Sequence, residues 1–256
     1  MSRFDALARY YDADDGAFAD DVPFYCELAR RTGGPILEAM CGSGRLLVPL
    51  AQAGYRVVGI DRSARMLALA RDKLLAAGLI ERAELLEADI CTAAPSGPFA
   101  LAIIALNSFS HLTTTADQLA ALRQIGEALQ PGGLLALDLT NPDLRALVEA
   151  NGELVLDKTF ALADGTQVQK FVAQQADTAA QLNDVTFIYD ELDAEGRLHR
   201  CTLQFTLRWL YRYELEHLLA RAGFQLEQLY GSYDLDAYSA ESAVMLALAR
   251  RDRCTC

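Results

Sequence analysis

The run Ile36-Leu-Glu-Ala-Met-Cys-Gly-Ser-Gly-Arg45, followed by Val57-Val-Gly-Ile-Asp61, holds the residue types that can grip a nucleoside. An apolar strand enters a glycine turn that opens a helix, and a second apolar strand ends in an acid 23 residues after Glu38. In a parallel α/β sheet this layout lays bare backbone beside the ligand and sets a carboxylate on the ribose hydroxyls. A dinucleotide fingerprint asks for a third glycine, which packs the helix on the strand while the helix start faces a pyrophosphate. Gly42 and Gly44 are present, but Leu47 stands at the third position. Glu38 would repel a pyrophosphate, whereas its charge suits a ligand carrying an ammonium and a sulfonium. These residues favour S-adenosylmethionine over a nicotinamide dinucleotide.

Beyond this turn the chain resembles the class I S-adenosylmethionine-dependent methyltransferases. The resemblance rests on Glu38 to Gly44, Asp61 with Met66, Glu87-Ala-Asp89-Ile90, Leu106-Asn-Ser-Phe-Ser-His-Leu112 and Leu129-Gln-Pro-Gly-Gly-Leu134, in that order. It implies a Rossmann-like α/β sheet in which Glu38, Met40, Gly42 and Gly44 line the methionine moiety. Asp61 would bind ribose, and Ala88, Asp89 and Ile90 would border adenine, with Arg62, Met66, Leu106 and Tyr11 as further cofactor contacts. Met40 departs from the family pattern, which usually has glycine there. The adaptable thioether is expected to fill the space a glycine would leave.

Methyl transfer from a sulfonium asks the protein for positioning, a dry site and sometimes a base, and it needs no metal. The end of the fourth strand is where the reacting methyl would point. The segment there is similar to that of glycine N-methyltransferases and related small-molecule N-methyltransferases, which makes Asn107 and His111 candidate catalytic residues, with Tyr11 of the N-terminal segment a third. Asn107 can hydrogen-bond an acceptor amine or carboxylate, and a histidine that titrates near neutrality could take a proton from an amine or hydroxyl. His111 could equally cap its loop. Tyr10 and Tyr11 belong to a segment that folds over the cofactor in related methyltransferases. Arg208, Trp209, Tyr211, Arg212 and Tyr213 cluster further on. Either arginine could pair an acceptor carboxylate or form a structural salt bridge.

Three parts must position these groups. Residues 1–24 read as a helical cap, residues 25–150 and 210–256 as the cofactor-binding core, and residues 151–209 as an antiparallel β insertion on the acceptor side. In the core, strands alternate with helices: Ser63 caps one, Thr115 with Gln118 forms a capping box on another, and Pro131-Gly-Gly ends it. In the insertion, four alternating segments are separated by turns that include Asp164-Gly165 and Glu195-Gly196.

A net charge of −12, from 35 acids against 23 bases, disfavours a nucleic-acid substrate. No charged-then-apolar leader opens the sequence and no run reaches membrane-spanning length, so the expectation is a cytoplasmic enzyme acting on a small molecule. A homodimer is compatible with the chain. Six scattered cysteines fit a reduced compartment, and the terminal Cys254-Thr-Cys256 reads as a frayed tail rather than a metal site. A reaction within the cofactor itself, in which another sulfonium carbon is attacked and no methyl moves, would use the same nucleoside site.

Overall fold

The computed structural model describes residues 3–16, 18–93, 95–193 and 196–252. Glu195, Arg253 and the terminal Cys-Thr-Cys lie outside the described residues. Two helices, α1 (Arg3–Asp14) and α2 (Val22–Thr32), precede β1 (Ile36–Ala39), α3 (Leu47–Gln52), β2 (Val57–Asp61), α4 (Ala64–Ala76) and β3 (Ala83–Glu87). Then come β4 (Phe99–Ile104), α5 (Thr115–Ala128), β5 (Leu129–Thr140) and the short α6 (Leu144–Glu149). The extended segments β6 (Leu154–Ala161), β7 (Gln167–Asp177), β8 (Leu182–Leu192) and β9 (Leu198–Arg208) follow, before α7 (Arg212–Arg221), β10 (Phe224–Tyr230) and β11 (Val244–Arg251).

The strands form a seven-stranded sheet ordered β10-β11-β5-β4-β1-β2-β3 and a separate four-stranded sheet ordered β6-β7-β8-β9. β1 to β5 run parallel, β11 pairs antiparallel with β5, and the second sheet is antiparallel throughout. Period-two alternation explains why both faces of the main sheet are dry. Leu37 and Ile104 point into a core shared with Leu122 of α5 and Leu219 of α7. Ile36 and Ile103 point the other way, toward Tyr25 of α2, Leu50 of α3 and Leu74 of α4. The expected α/β architecture with an antiparallel lobe is therefore observed.

Local chemistry fixes most element ends. Ser63 accepts from the Met66 backbone N–H at 3.2 Å and caps α4 as expected. On α5 the cap is Thr114, one residue earlier than the expected Thr115. Its hydroxyl oxygen accepts from Asp117 N and donates to Asp117 Oδ2, while Gln118 turns inward and donates to Leu112 O. Pro131-Gly-Gly does not stop the helix either. α5 ends at Ala128, Leu129 already pairs with Phe99, and the proline and glycines form an irregularity before Leu134 pairs with Leu101.

α1 is clamped between the two sheets. On the lobe side Tyr10 stacks on Tyr189 with ring centroids 4.0 Å apart and donates to Glu191 at 2.6 Å. Asp14 meets Lys158 at 2.7 Å and Lys170 at 2.8 Å, and it accepts from the Tyr189 hydroxyl. Burial works against this carboxylate, but the hydrogen bonds from Lys158 and Lys170 win and hold its pKa below the ordinary value. Its stabilising contribution is thus present above the unfolded carboxylate range and is lost as pH falls through the depressed value. Asp14→Asn is expected to lower stability by about 2–4 kcal/mol at neutral pH and to shrink that acid-side loss. Urea unfolding at neutral and acidic pH measures both.

Candidate functional site

The strand order reverses between β1 and β4, so the segments leaving these strands part and open a crevice over the sheet's carboxyl edge. From β1 the chain turns through Met40, Gly42 and Gly44, with φ of +60°, +52° and +73°. Glycine adopts such angles freely, whereas a side-chain-bearing residue meets a cost of about 1–2 kcal/mol. Met40 offsets that cost by packing on the core and forming part of the cleft wall. At Gly44 a Cβ would lie only 2.8 Å from the Ala70 Cβ, so the close seating of α4 also requires glycine.

Asp61, at the end of β2, accepts from Gly42 N and Ser63 N, each at 2.9 Å, which ties the first turn to the second strand. Burial raises its pKa and these backbone donors oppose the rise. Glu38 has a harsher setting. It is 5 % exposed, its Oε2 has no hydrogen-bond partner, and burial pushes its pKa up to about 8 despite the nearby charge of Arg45. Arg45 is already held by Asp21 through two bonds of 2.5 Å. Lys73 donates to Asp12 at 2.6 Å and to Ser43 Oγ at 2.9 Å, so α1 is fastened to the turn by a lysine, a serine and its own aspartate.

Two adjoining cavities occupy the crevice. The first, of about 830 Å³, brings together Tyr11, Met40, Gly42, Asp61, Arg62 and Met66, with Ala88, Asp89, Ile90, Leu106 and His111 also on its wall. Eleven of the residues singled out in the sequence therefore converge there. Glu38 and Gly44 are not on that wall, and Asn107 belongs to the second cavity, of about 1390 Å³. Leu7, Tyr11, Leu106 and His111 are common to both. The second cavity carries Asp15, Asp20 and Asp138 among aromatic side chains, two of which, Phe187 and Phe205, come from the lobe. Among the described residues no lysine or arginine lines it.

His111 differs from the expected neutral-range titrator. It is half-buried, meets Phe4 and Phe205 edge-on at 5.0 and 5.7 Å, and faces the charges of Arg62 and Arg3. Burial foremost, then these two cations, lower its pKa to about 4. Tyr11 moves the opposite way: burial chiefly, with Asp15 next, raises its phenol well above the ordinary value and keeps it protonated. Asn107 stands at φ +56°, and its Oδ1 accepts from Ser110 Oγ at 2.6 Å and from Thr140 N at 3.1 Å. With the oxygen so engaged, its free groups are the two amide N–H donors.

The arginines considered as carboxylate partners lie elsewhere. Arg208 pairs with Glu214 at 2.9 Å, Arg212 sits over the Tyr213 ring, and neither lines the second cavity. Sequence reasoning missed Asp138 and Tyr233, whose hydroxyl donates to Asp138 Oδ2 at 2.9 Å. One signal was available: Asp138 is a lone charge inside the apolar run Leu134 to Leu139.

The comparisons with known proteins agree with this geometry. A family model described as a methyltransferase domain matches residues 36–133. The putative methyltransferase YqeM of Bacillus subtilis is 26 % identical over 86 % of this chain and 85 % of its own length. The cypemycin N-terminal methyltransferase of a Streptomyces species is 28 % identical over 86 % and 84 %. The CcbJ methyltransferase of Streptomyces caelestis superposes with a TM-score of 0.81 over 98 % of both chains at 23 % identity. Among the described residues no helix is long and apolar enough to cross a membrane, and no group of metal-ligating side chains is assembled. Residues 36–133 thus carry a methyltransferase domain, and with the sheet order, the glycine turn and these relatives the chain is similar throughout to S-adenosylmethionine-dependent methyltransferases.

Proposed function

We propose that the chain methylates the nitrogen of a small amine, with the cofactor in the first cavity and the acceptor in the second. When bound, S-adenosylmethionine supplies a methyl carbon already activated by its sulfonium. In this reading the spare lone pairs of Asp61 take the ribose hydroxyls, and Met66, Ala88 and Ile90 flank the adenine. Glu38 Oε2, buried and unpartnered, fits the cationic end of the amino-acid tail. Leu106, common to both cavities, stands where methyl and acceptor meet. The lobe contributes Phe187 and Phe205 as the acceptor's apolar wall.

One observation carries the reading: the second cavity sets the carboxylates of Asp15 and Asp20 among aromatic rings and has no lysine or arginine among its described lining residues. Such a surface attracts an amine and repels a carboxylate or phosphate. The catalytic groups point the same way. A hydroxyl acceptor needs a base, but Tyr11 stays protonated and His111 is too weakly basic to hold the proton. A neutral amine attacks through its own lone pair and releases its proton to water afterwards. Relatives that act on nitrogen, such as the cypemycin N-terminal methyltransferase, also support an amine.

Incubation with methyl-labelled S-adenosylmethionine and matched probes, benzylamine against benzyl alcohol, is expected to yield S-adenosylhomocysteine and labelled product with the amine alone. Equal labelling of the alcohol would refute nitrogen selectivity, and methylthioadenosine formed without any acceptor would mean chemistry within the cofactor. The rate should climb with pH toward the acceptor's own pKa. A limb near the ordinary histidine value of 6.5, abolished in His111→Ala, would restore His111 as a base.

Glu38 gives a prediction on stability. Its folded pKa lies above the ordinary 4.5, so its contribution is fully present below that value and is lost as pH rises through about 8. The ligand-free protein is therefore expected to lose melting temperature across that window, and Glu38→Gln to flatten the fall. The same variant should bind S-adenosylhomocysteine roughly tenfold more weakly by calorimetry.

A further inference from the structure

We infer that Asp138 is the positioning residue of the methyl-transfer site, holding Leu106 and Asn107 in place where the two cavities meet. The inference rests on the reading that those cavities take cofactor and acceptor. Leu106 and Asn107 are consecutive, neither is glycine, and both have left-handed backbones, with φ of +49° and +56°. Chirality makes such a pair unfavourable in isolation. What holds it is visible one strand away. Asp138 Oδ2 accepts from Leu106 N at 3.0 Å, and Oδ1 accepts from Asn107 N at 2.9 Å. Successive backbone N–H groups converging on one anion form a concavity of the kind that binds phosphates, occupied here by the chain's own carboxylate.

Two hydroxyls complete the arrangement. Tyr25, fully buried on α2, donates to Oδ2 at 3.0 Å, and Tyr233, from the loop between β10 and β11, donates to it at 2.9 Å. Asp138 is itself 2 % exposed, so its charge is tolerable only with these four donors in place. The consequences reach both cavities. Leu106 is part of each wall, and Asn107, whose side-chain oxygen is held by Ser110 and Thr140, lines the second cavity. Tyr233 lines the acceptor cavity while bonding the carboxylate, so the acceptor wall and the β4 turn share one anchor.

The test uses the full chain labelled with nitrogen-15 and reads two quantities in Asp138→Asn. The substitution keeps the shape but removes the charge and presents an N–H group to donors. The Leu106 and Asn107 amide proton signals are expected to move upfield, and S-adenosylhomocysteine affinity to fall roughly tenfold by calorimetry. A merely structural role would lower the melting temperature while leaving those two amides and the affinity unchanged, and that result would overturn the inference. Should Asp138→Asn fail to fold, Tyr233→Phe is read in the same way, because it keeps the carboxylate and removes one donor. A Leu106 shift and a fall of roughly two- to threefold support the inference; an unmoved amide refutes it. If the wild-type chain binds no S-adenosylhomocysteine, the cofactor reading fails, and the amide signals alone decide the role of Asp138.

Discussion

A carboxylate can stand at the dry end of a β-strand only where donors reach it, and three such carboxylates organise this molecule. Asp61 receives two backbone N–H groups, from Gly42 and Ser63, and thereby joins the first turn to the start of α4. Asp138 receives two backbone N–H groups and two tyrosine hydroxyls, and thereby joins α2, the β4 turn and the β10–β11 loop. Glu38 is the exception, since one of its oxygens has no partner at all. Satisfied carboxylates fix backbone, while burial pushes the unsatisfied one toward its neutral form.

Those bonds explain why the crevice can combine exactness of position with an open volume. Regular strands end before the chemistry begins, and the residues that face the cavities sit on turns that would not hold their conformations alone. Met40, Leu106 and Asn107 all carry side chains at left-handed angles. The core packing of Met40 and the carboxylate of Asp138 oppose the cost. Hydrogen bonds across the sheet edge hold Leu106 and Asn107, and packing holds Met40.

Much of this was legible in the residues, for reasons of periodicity. Alternating strands and helical stripes marked the main sheet and the lobe, and glycine at Gly42 and Gly44 marked the turn. Asp61 was legible because both its strand and its distance from that turn agreed. The remainder depended on contacts far apart in the chain. Nothing near Asp138 announces Tyr25 or Tyr233, and nothing near Asp12 announces Lys73. His111 reads as a neutral-range titrator until Phe4, Phe205 and two arginines from elsewhere surround it. The capping slip on α5 is of another kind: Thr114 and Thr115 are adjacent and chemically equal, and only the direction of the following turn selects between them.

The clamp on α1 is uneven, and burial decides which end is stronger. Toward the lobe, Asp14 has a side chain 1 % exposed and meets Lys170, which is 7 % exposed. Toward the glycine turn, Asp12 and Lys73 are 34 % and 33 % exposed, so water screens their attraction. Two partly solvated charges separate at little cost, whereas parting Asp14 from Lys170 leaves buried charge uncompensated. The stacked Tyr10 and Tyr189 rings add to the lobe side. α1 is accordingly held more firmly at Asp14 than at Asp12. The weaker contact is made at Ser43, between the two glycines of the turn.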